Sequence, residues 1–417
     1  MRVLEFSPVM LSPLAKATGR NASIGGGWVE SLIRAMRIED DSLQFCVLCL
    51  GLLNCDVVVD GIRYVSTPLN VFEATAKKLI GEFKPNLIHI NGAEFFYAAM
   101  PMEVYGGVSV VVSIQGIING YMPHYNGGLT SNELKGTNFT LRYLLRRTSI
   151  LGDQKEWYRK RAPQEEKAMS QHRYYSGRTE WDHAWVRYFN PSAKYFTVNE
   201  TLRDPFYKVR RDPSKTIRHS IFCGGAAGYP LKGVHWLIRA VSSLRKEFPD
   251  IQLRIAAARE KIDPNRSLMA RLKDDPYAIY LRRLIRELDA QRNVVGLPSL
   301  HAEEVAKELQ SAELFVLPSL CENSPNSLGE AMLVGTPSIA TFTGGTPSIL
   351  KDGVEGKLVP SSDPSALADA IRRWFNHPEE AETCVEPARM TATARHDGAN
   401  NAKTMLKVFK EVLNASV

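Results

Sequence analysis

Cysteine is scarce. The chain of 417 residues has six, Cys46, Cys49, Cys55, Cys223, Cys321 and Cys384, a set that suits reduced, buried thiols and excludes a disulfide framework. Cys46 and Cys49 form a C-x-x-C, but inside an apolar strand-like segment with no second pair to complete a zinc site. Long hydrophobic runs are missing as well. The longest nearly apolar one, FCVLCLGLL from Phe45 to Leu53, falls far short of a bilayer span. MRVLEFSPVM lacks the basic-then-apolar layout of a signal peptide, so the expected location is the cytoplasm. There is no G-x-G-x-x-G after a strand, no Walker motif and no zinc-finger or RRM signature, and the basic residues are dispersed. A nucleic-acid partner is not expected.

What is present is an ordinary globular composition, 44% hydrophobic and 23% charged, at a length that favours two domains over one. The net charge of +7 favours an anionic partner without naming it. Strand-like runs alternate with helical patterns, which argues an α/β protein with parallel sheets. VLEF, NLIHIN (86–91), VSVVVSIQG (108–116) and KYFTVN (194–199) form a first series. After KVRRDPSKTIR (208–218) come SIFCGG, IQLRIAA, NVVGLP, ELFVLPS and TPSIATF. Val234, Leu237, Ile238, Val241 and Leu244 predict one buried face of a helix. The expected organisation is a domain at 1–212, a second at 213–395, and a C-terminal helix at 396–417 whose return to the first domain is left open. Two Rossmann-like doubly wound halves facing an interdomain cleft would bind ligand beyond the carboxyl ends of their strands.

ENSPNSLGEAM, residues 322–332, sets Glu322 and Glu330 eight positions apart. ELFVLPS reads as a buried strand, and Pro325 suits the first turn of a helix. Ser324 is then the expected N-cap, with Glu322 in the loop and Glu330 in the second turn. A helix N-terminus is a ready phosphate site, and a carboxylate can accept two hydroxyls at once. A pair flanking a diphosphate therefore suits a nucleoside diphosphate sugar. The plainer alternative is a surface charge at Glu322 and an exposed helical residue at Glu330.

Glu322, Glu330 and the following AMLVGTPSIATFTGGTPSILKDGVEGKLVP, preceded by NVVGLPS and SAELFVLPSLCE, resemble the C-terminal signature of the retaining glycosyltransferase family 4, of GT-B fold. The resemblance implies that Glu322 binds hydroxyls of the donor sugar and Glu330 the ribose. It implies that backbone groups of Asn323, Ser324, Pro325, Asn326 and Ser327 hold the diphosphate, that Val295, Gly296 and Leu297 line the base pocket, and that Gly344 and Gly345 form a tight loop beneath the donor. GGAAGYPLKGVHWLIRAV (224–241) is similar to the segment in which an arginine and a lysine neutralise the leaving diphosphate. Lys232 matches the lysine, while Gly225 stands where the arginine is usual. Lys232 and Glu322 are thus the implied catalytic pair.

In SIGGGWVESLIRAM, Gly26 and Gly27 resemble the glycines that sit close to the diphosphate. Gln115, in SIQGIING, occupies a place where many members carry a histidine, and glutamine cannot act as a base. In YYSGRTEWDHAWVRYF, Thr179 and Asp182 read as a helix-capping pair, and Arg178 and Glu180 are candidates to face the acceptor.

The expected activity is a metal-independent hexosyl transfer with retention, to a glycan or lipid-linked acceptor in cell-surface polysaccharide synthesis, with no cofactor beyond the donor. No two aspartates are separated by a single intervening residue, the arrangement with which the other major transferase fold holds its cation. The basic and aromatic stretch at 141–161 gives an expected peripheral contact with the inner face of the membrane, against a plain solvated helix. Two further readings stay open: a nucleotide-sugar 2-epimerase, and a non-enzymatic nucleotide- or nucleic-acid-binding protein.

Overall fold

The computed structural model describes residues 1–19, 27–135, 137, 150–225, 228–267, 269 and 274–415. The chain divides into two compact units. Met1–Asn119, Lys160–Arg203 and Arg395–Val417 form the first; Gly120–Arg159 and Asp204–Ala394 form the second. This differs from a single boundary at residue 212. The division falls between Arg203 and Asp204, residues 120–159 group with the second unit, and the C-terminal helix groups with the first. Among the described residues no helix is long and apolar enough to cross a membrane.

Among the described residues the first unit has eight strands: β1 (Arg2–Ser7), β2 (Gln44–Leu50), β3 (Cys55–Val59), β4 (Ile62–Thr67), β5 (Leu87–Asn91), β6 (Ser109–Ser113), β7 (Tyr174–Gly177) and β8 (Lys194–Thr197). Their order is β3-β4-β2-β1-β5-β6-β7-β8. All pairs are parallel except β3 with β4. That hairpin turns at Asp60 and Gly61, both at positive φ (51° and 76°), as a tight two-residue turn requires.

Both faces of the sheet are covered, which is why its strands read as near-continuous apolar runs. Leu4, Phe6, Cys46, Leu48, Ile88, Ile90, Val110 and Val112 enter one core. The alternate residues Val3, Val47, Cys49, Leu87 and Val111 enter the other, with Ile33 of the helix Gly27–Glu39 and Phe409 of the helix Gly398–Asn414.

Among the described residues the second unit has six parallel strands: β9 (Ile217–Cys223), β10 (Gln252–Ile255), β11 (Val294–Gly296), β12 (Ala312–Leu317), β13 (Ser338–Thr341) and β14 (Lys357–Val359). Their order, β11-β10-β9-β12-β13-β14, is the doubly wound 3-2-1-4-5-6 pattern. The helix Val234–Leu244 buries the face expected of it, with Val234, Leu237, Ile238, Val241 and Leu244 all at 0% exposure. Each such side chain contributes about 1.5–3 kcal/mol on burial. Strand order reverses between β9 and β12, and that switch point is where such sheets bind ligands.

Candidate functional site

Two loops meet at the switch point. After β9 the chain passes Gly224 and Gly225 and makes a short 3₁₀ turn, Pro230–Lys232. Gly225 has φ +62° and, among the described residues, no neighbour within 4 Å of an added Cβ, so its glycine answers to backbone conformation. Gly233 has both reasons: φ is +70°, and a Cβ would stand 1.9 Å from the carbonyl oxygen of Pro318. This close approach lets Leu320 N–H donate to Leu231 O at 2.8 Å, tying the loop after β12 to the loop after β9.

That tie sets Lys232 against Glu322. Lys232 Nζ donates to Glu322 Oε1 at 2.6 Å, and Ser319 Oγ donates to the same oxygen at 2.7 Å. The lysine is thus ion-paired. Glu322 is buried at 7% exposure, not a surface charge, while Lys232 keeps 34% of its side chain exposed. Glu322 is also held by its backbone: Gly345 N–H donates to Glu322 O at 2.8 Å, and a Cβ on Gly344 would lie 2.0 Å from that oxygen. The Gly-Gly loop is therefore a close packing of one loop under another.

The helix that follows is Asn326–Val334. Ser324 was the expected N-cap, but Pro325 occupies that position, without any side-chain cap bond. Leu328 N–H donates to Pro325 O at 3.0 Å, so the first helical carbonyl belongs to the proline and the helix starts one residue after it. Glu330 does fall in the second turn, and at 6% exposure it is buried. Asn323 and Pro325 are buried too, while Ser324, Asn326 and Ser327 are half-buried. On the other side of β9, Leu297 O accepts from Ala258 N–H and Arg259 N–H, both at 2.9 Å, which fixes the loop after β11.

Some contributors had not been singled out from the sequence. Tyr158, on the helix Ile150–Gln171, has its phenol pushed up to about 12 by burial, with Tyr229, Cys321 and Glu322 within electrostatic reach. Ser319 bonds Glu322, as above. His235 donates from Nε2 to Gly127 O at 3.0 Å and accepts at Nδ1 from Tyr277 OH at 2.9 Å. A Cβ on Gly127 would stand 2.4 Å from Pro230 O. The paired glycines Gly127 and Gly128, both at positive φ, were the available signal.

The other expected residues lie in the first unit. Gln115 and Arg178 come together: Arg178 Nη2 donates to Gln115 O at 3.0 Å, and its Nη1 pairs with Glu200. Glu180 does not join them. It is the first residue of the helix Glu180–Phe189, points to solvent at 90% exposure, and lies 3.7 Å from His183. The capping box of Thr179 and Asp182 is present. Gly27 opens the helix Gly27–Glu39 with open space around an added Cβ, and Gly26 lies outside the described residues. So do residues 141–149 of the basic stretch at 141–161; in its described part, Trp157 is 43% exposed and Arg159 pairs with Glu156.

Two doubly wound parallel-sheet units in one chain define the GT-B fold class. Solved structures agree with it. Sucrose-phosphate synthase (tll1590) from Thermosynechococcus elongatus superposes with a TM-score of 0.69 at 16% identity over 100% of both chains. Anabaena Alr3699/HepE in complex with UDP-glucose does so with a TM-score of 0.67 at 15% identity, over 99% of this chain and 100% of its own.

Residues 220–391 match the family model of group 1 glycosyl transferases. Over 182 residues the chain is 30% identical to D-inositol 3-phosphate glycosyltransferase from Corynebacterium urealyticum, covering 44% of this chain and 41% of that protein. It is 29% identical to an MMP alpha-(1->4)-mannosyltransferase from Mycolicibacterium hassiacum over 198 residues, covering 47% and 44%. The matched stretches thus span less than half the length of these relatives.

Proposed function

We propose that the protein is a glycosyltransferase of the retaining family 4 type, moving a hexosyl group from a nucleoside diphosphate sugar to a hydroxyl of a glycan or lipid-linked acceptor. The observation that carries this reading is the Lys232–Glu322 pair at the β9/β12 switch point, with Glu330 buried eight residues further on. The matched family segment, 220–391, contains all three.

In this reading the diphosphate lies against the start of the helix Asn326–Val334, held by backbone groups of residues 323–327. Glu330 takes the ribose, Glu322 takes hydroxyls of the sugar, and the loop at Leu297 lines the base. Lys232 leaves Glu322 in part or shares it, and stabilises the charge that develops on the departing diphosphate. Gly225 supplies no side chain where a second cation is usual, so Lys232 and the helix N-terminus carry that task without a metal ion. The diphosphate itself takes the acceptor's proton. The acceptor meets the first unit, at Gln115 and Arg178. A place at the inner face of a membrane, in cell-surface polysaccharide synthesis, belongs to the same proposal.

The test separates the two glutamates. Glu330→Ala is expected to weaken binding of the bare nucleoside diphosphate about tenfold or more, the scale of a lost hydrogen bond to a charged group. Glu322→Ala is expected to spare the bare nucleotide and weaken only the sugar-bearing donor. Equal losses for both ligands in both variants would overturn the assignment.

A further inference from the structure

The first unit holds a second polar site. On the sheet face covered by the helices Gly27–Glu39 and Gly398–Asn414, inward side chains are apolar at the amino ends of the strands (Val3, Leu87, Val111, Tyr174). At the carboxyl ends they are polar and still buried: Glu5, His89, Asn91, Ser113 and Ser176. Glu5 and His89 are cross-strand partners, with His89 Nδ1 2.8 Å from Glu5 Oε2. His89 Nε2 lies 2.6 Å from Ser113 Oγ, which lies 2.6 Å from Ser176 Oγ. With the carboxylate as terminal acceptor, His89 donates to Glu5, Ser113 donates to His89, and Ser176 donates to Ser113. The chain is polarised, and its open end, Ser176 Oγ, presents acceptor lone pairs.

Ser113 and Ser176 line a small pocket at the carboxyl ends of β5 to β8, with Trp28, Asn91, Arg178 and Asn199. It is partly open, and its free volume is about 30 Å³, enough for a hydroxyl-sized group. Among the described residues, three buried atoms of the side chains just named have no hydrogen-bond partner: Asn91 Oδ1, Asn199 Oδ1 and Arg178 Nε. Asn91 is 0% exposed and Arg178 6%. The amide of Asn91 cannot be turned to relieve this, because its Nδ2 donates to Glu5 Oε2 at 2.9 Å and to Phe6 O at 3.0 Å. Each buried polar atom left unmatched costs about 1–3 kcal/mol, so the pocket is complementary to something that donates twice and accepts at least once. A carboxylate only accepts, an ionised phosphate is mostly acceptor, and either would meet the Glu200 carboxylate as well.

We propose that this pocket binds neighbouring hydroxyls of a neutral polyhydroxylated compound, a sugar or cyclitol. Its O–H groups donate to Asn91, Asn199 and Ser176, and one oxygen accepts from Arg178 Nε–H. Its role as the acceptor site rests on the glycosyl-transfer reading; the binding does not.

Saturation-transfer NMR on the full chain tests it, with myo-inositol and glucose as probes and acetate as the anionic control. Transfer to at least one polyol is expected, with none to acetate. Affinity should fall about tenfold in Ser176→Ala and in Asn199→Leu, as loss of a buried hydrogen bond implies. Asn199→Ala replaces the leucine variant if that one does not fold. The nucleotide response of the second unit should be unchanged in these variants. Absence of transfer from both polyols, or transfer that persists undiminished in the folded variants, would overturn the site and leave a structural water as its occupant. In the unaltered chain, no polyol binding with nucleotide binding intact sinks the pocket alone; polyol binding without nucleotide binding sinks the transferase reading alone.

Discussion

The two sheets end in different ways at their carboxyl edges. In the second unit, polar groups arrive in two contiguous stretches, 224–233 after β9 and 319–330 after β12, and glycines let the loops close on one another's backbones. In the first unit, they arrive singly, one or two from each of β1, β5, β6 and β7, and touch through side chains across the sheet. One site is held by backbone packing, the other by a side-chain network. Different mutations should therefore break them.

The largest effect is expected at Gly233. A Cβ there meets a backbone carbonyl at 1.9 Å and the residue has φ +70°, so Gly233→Ala should cost about 3 kcal/mol or more in urea unfolding. Gly225→Ala, with similar φ but open space, should cost about 1–2 kcal/mol. Equal costs would mean that loop contact does not hold the site.

Next comes Lys232→Met, expected to lower kcat of sugar transfer by about 10²-fold, the scale of losing one preorganised charge in a transition state. It also leaves the Glu322 carboxylate buried without its cation. The double variant Lys232→Met with Glu322→Gln should therefore unfold at higher denaturant than the single Lys232→Met, and a lower midpoint would contradict the pairing.

A third comparison uses acid. Burial lowers His172 in the first unit to about 4 and His235 in the second to about 3, from an ordinary 6.5. Each is neutral in the folded state, so its stabilising contribution is complete above pH 6.5 and is lost as pH falls toward the folded value. Unfolding free energy should drop by on the order of 1.4 kcal/mol per pH unit for each histidine over that window. His172→Gln and His235→Gln should each flatten the slope between pH 6 and about 4; an unchanged slope would contradict their burial as neutral groups.

The smallest effect is Ser113→Ala, which leaves His89 Nε2 without its serine. About 1–2 kcal/mol is expected, read by denaturant unfolding, with nucleotide binding by the second unit unaffected.

The same contrast explains what was legible in the sequence. The 3.6 periodicity of Val234–Leu244 and the apolar strands gave the doubly wound class, because burial on both faces imposes those patterns. Glu322 and Glu330 could be read because one loop and one helix carry both. The start of that helix was placed one residue early, since Pro325 fits either the cap or the first turn. The ion pair of Lys232 with Glu322 was not legible, because its partners stand 90 residues apart and meet only through strand order. Glu5, His89, Ser113 and Ser176 each read as one polar residue in an apolar strand, and register alone brings them together. Residues 120–159 were assigned by position to the first domain, although Gly127 packs on the Pro230–Lys232 turn.

The central claim is that the β9/β12 switch point takes a nucleoside diphosphate. Thermal unfolding of the full chain with UDP, GDP, ADP and CMP, each in the presence of EDTA, tests it most directly. At about 100 times its dissociation constant, the matching nucleoside diphosphate should add roughly 2.7 kcal/mol to the native state, and Glu330→Ala should remove most of that shift. No shift with any of the four, or the same shift in Glu330→Ala, would contradict the account.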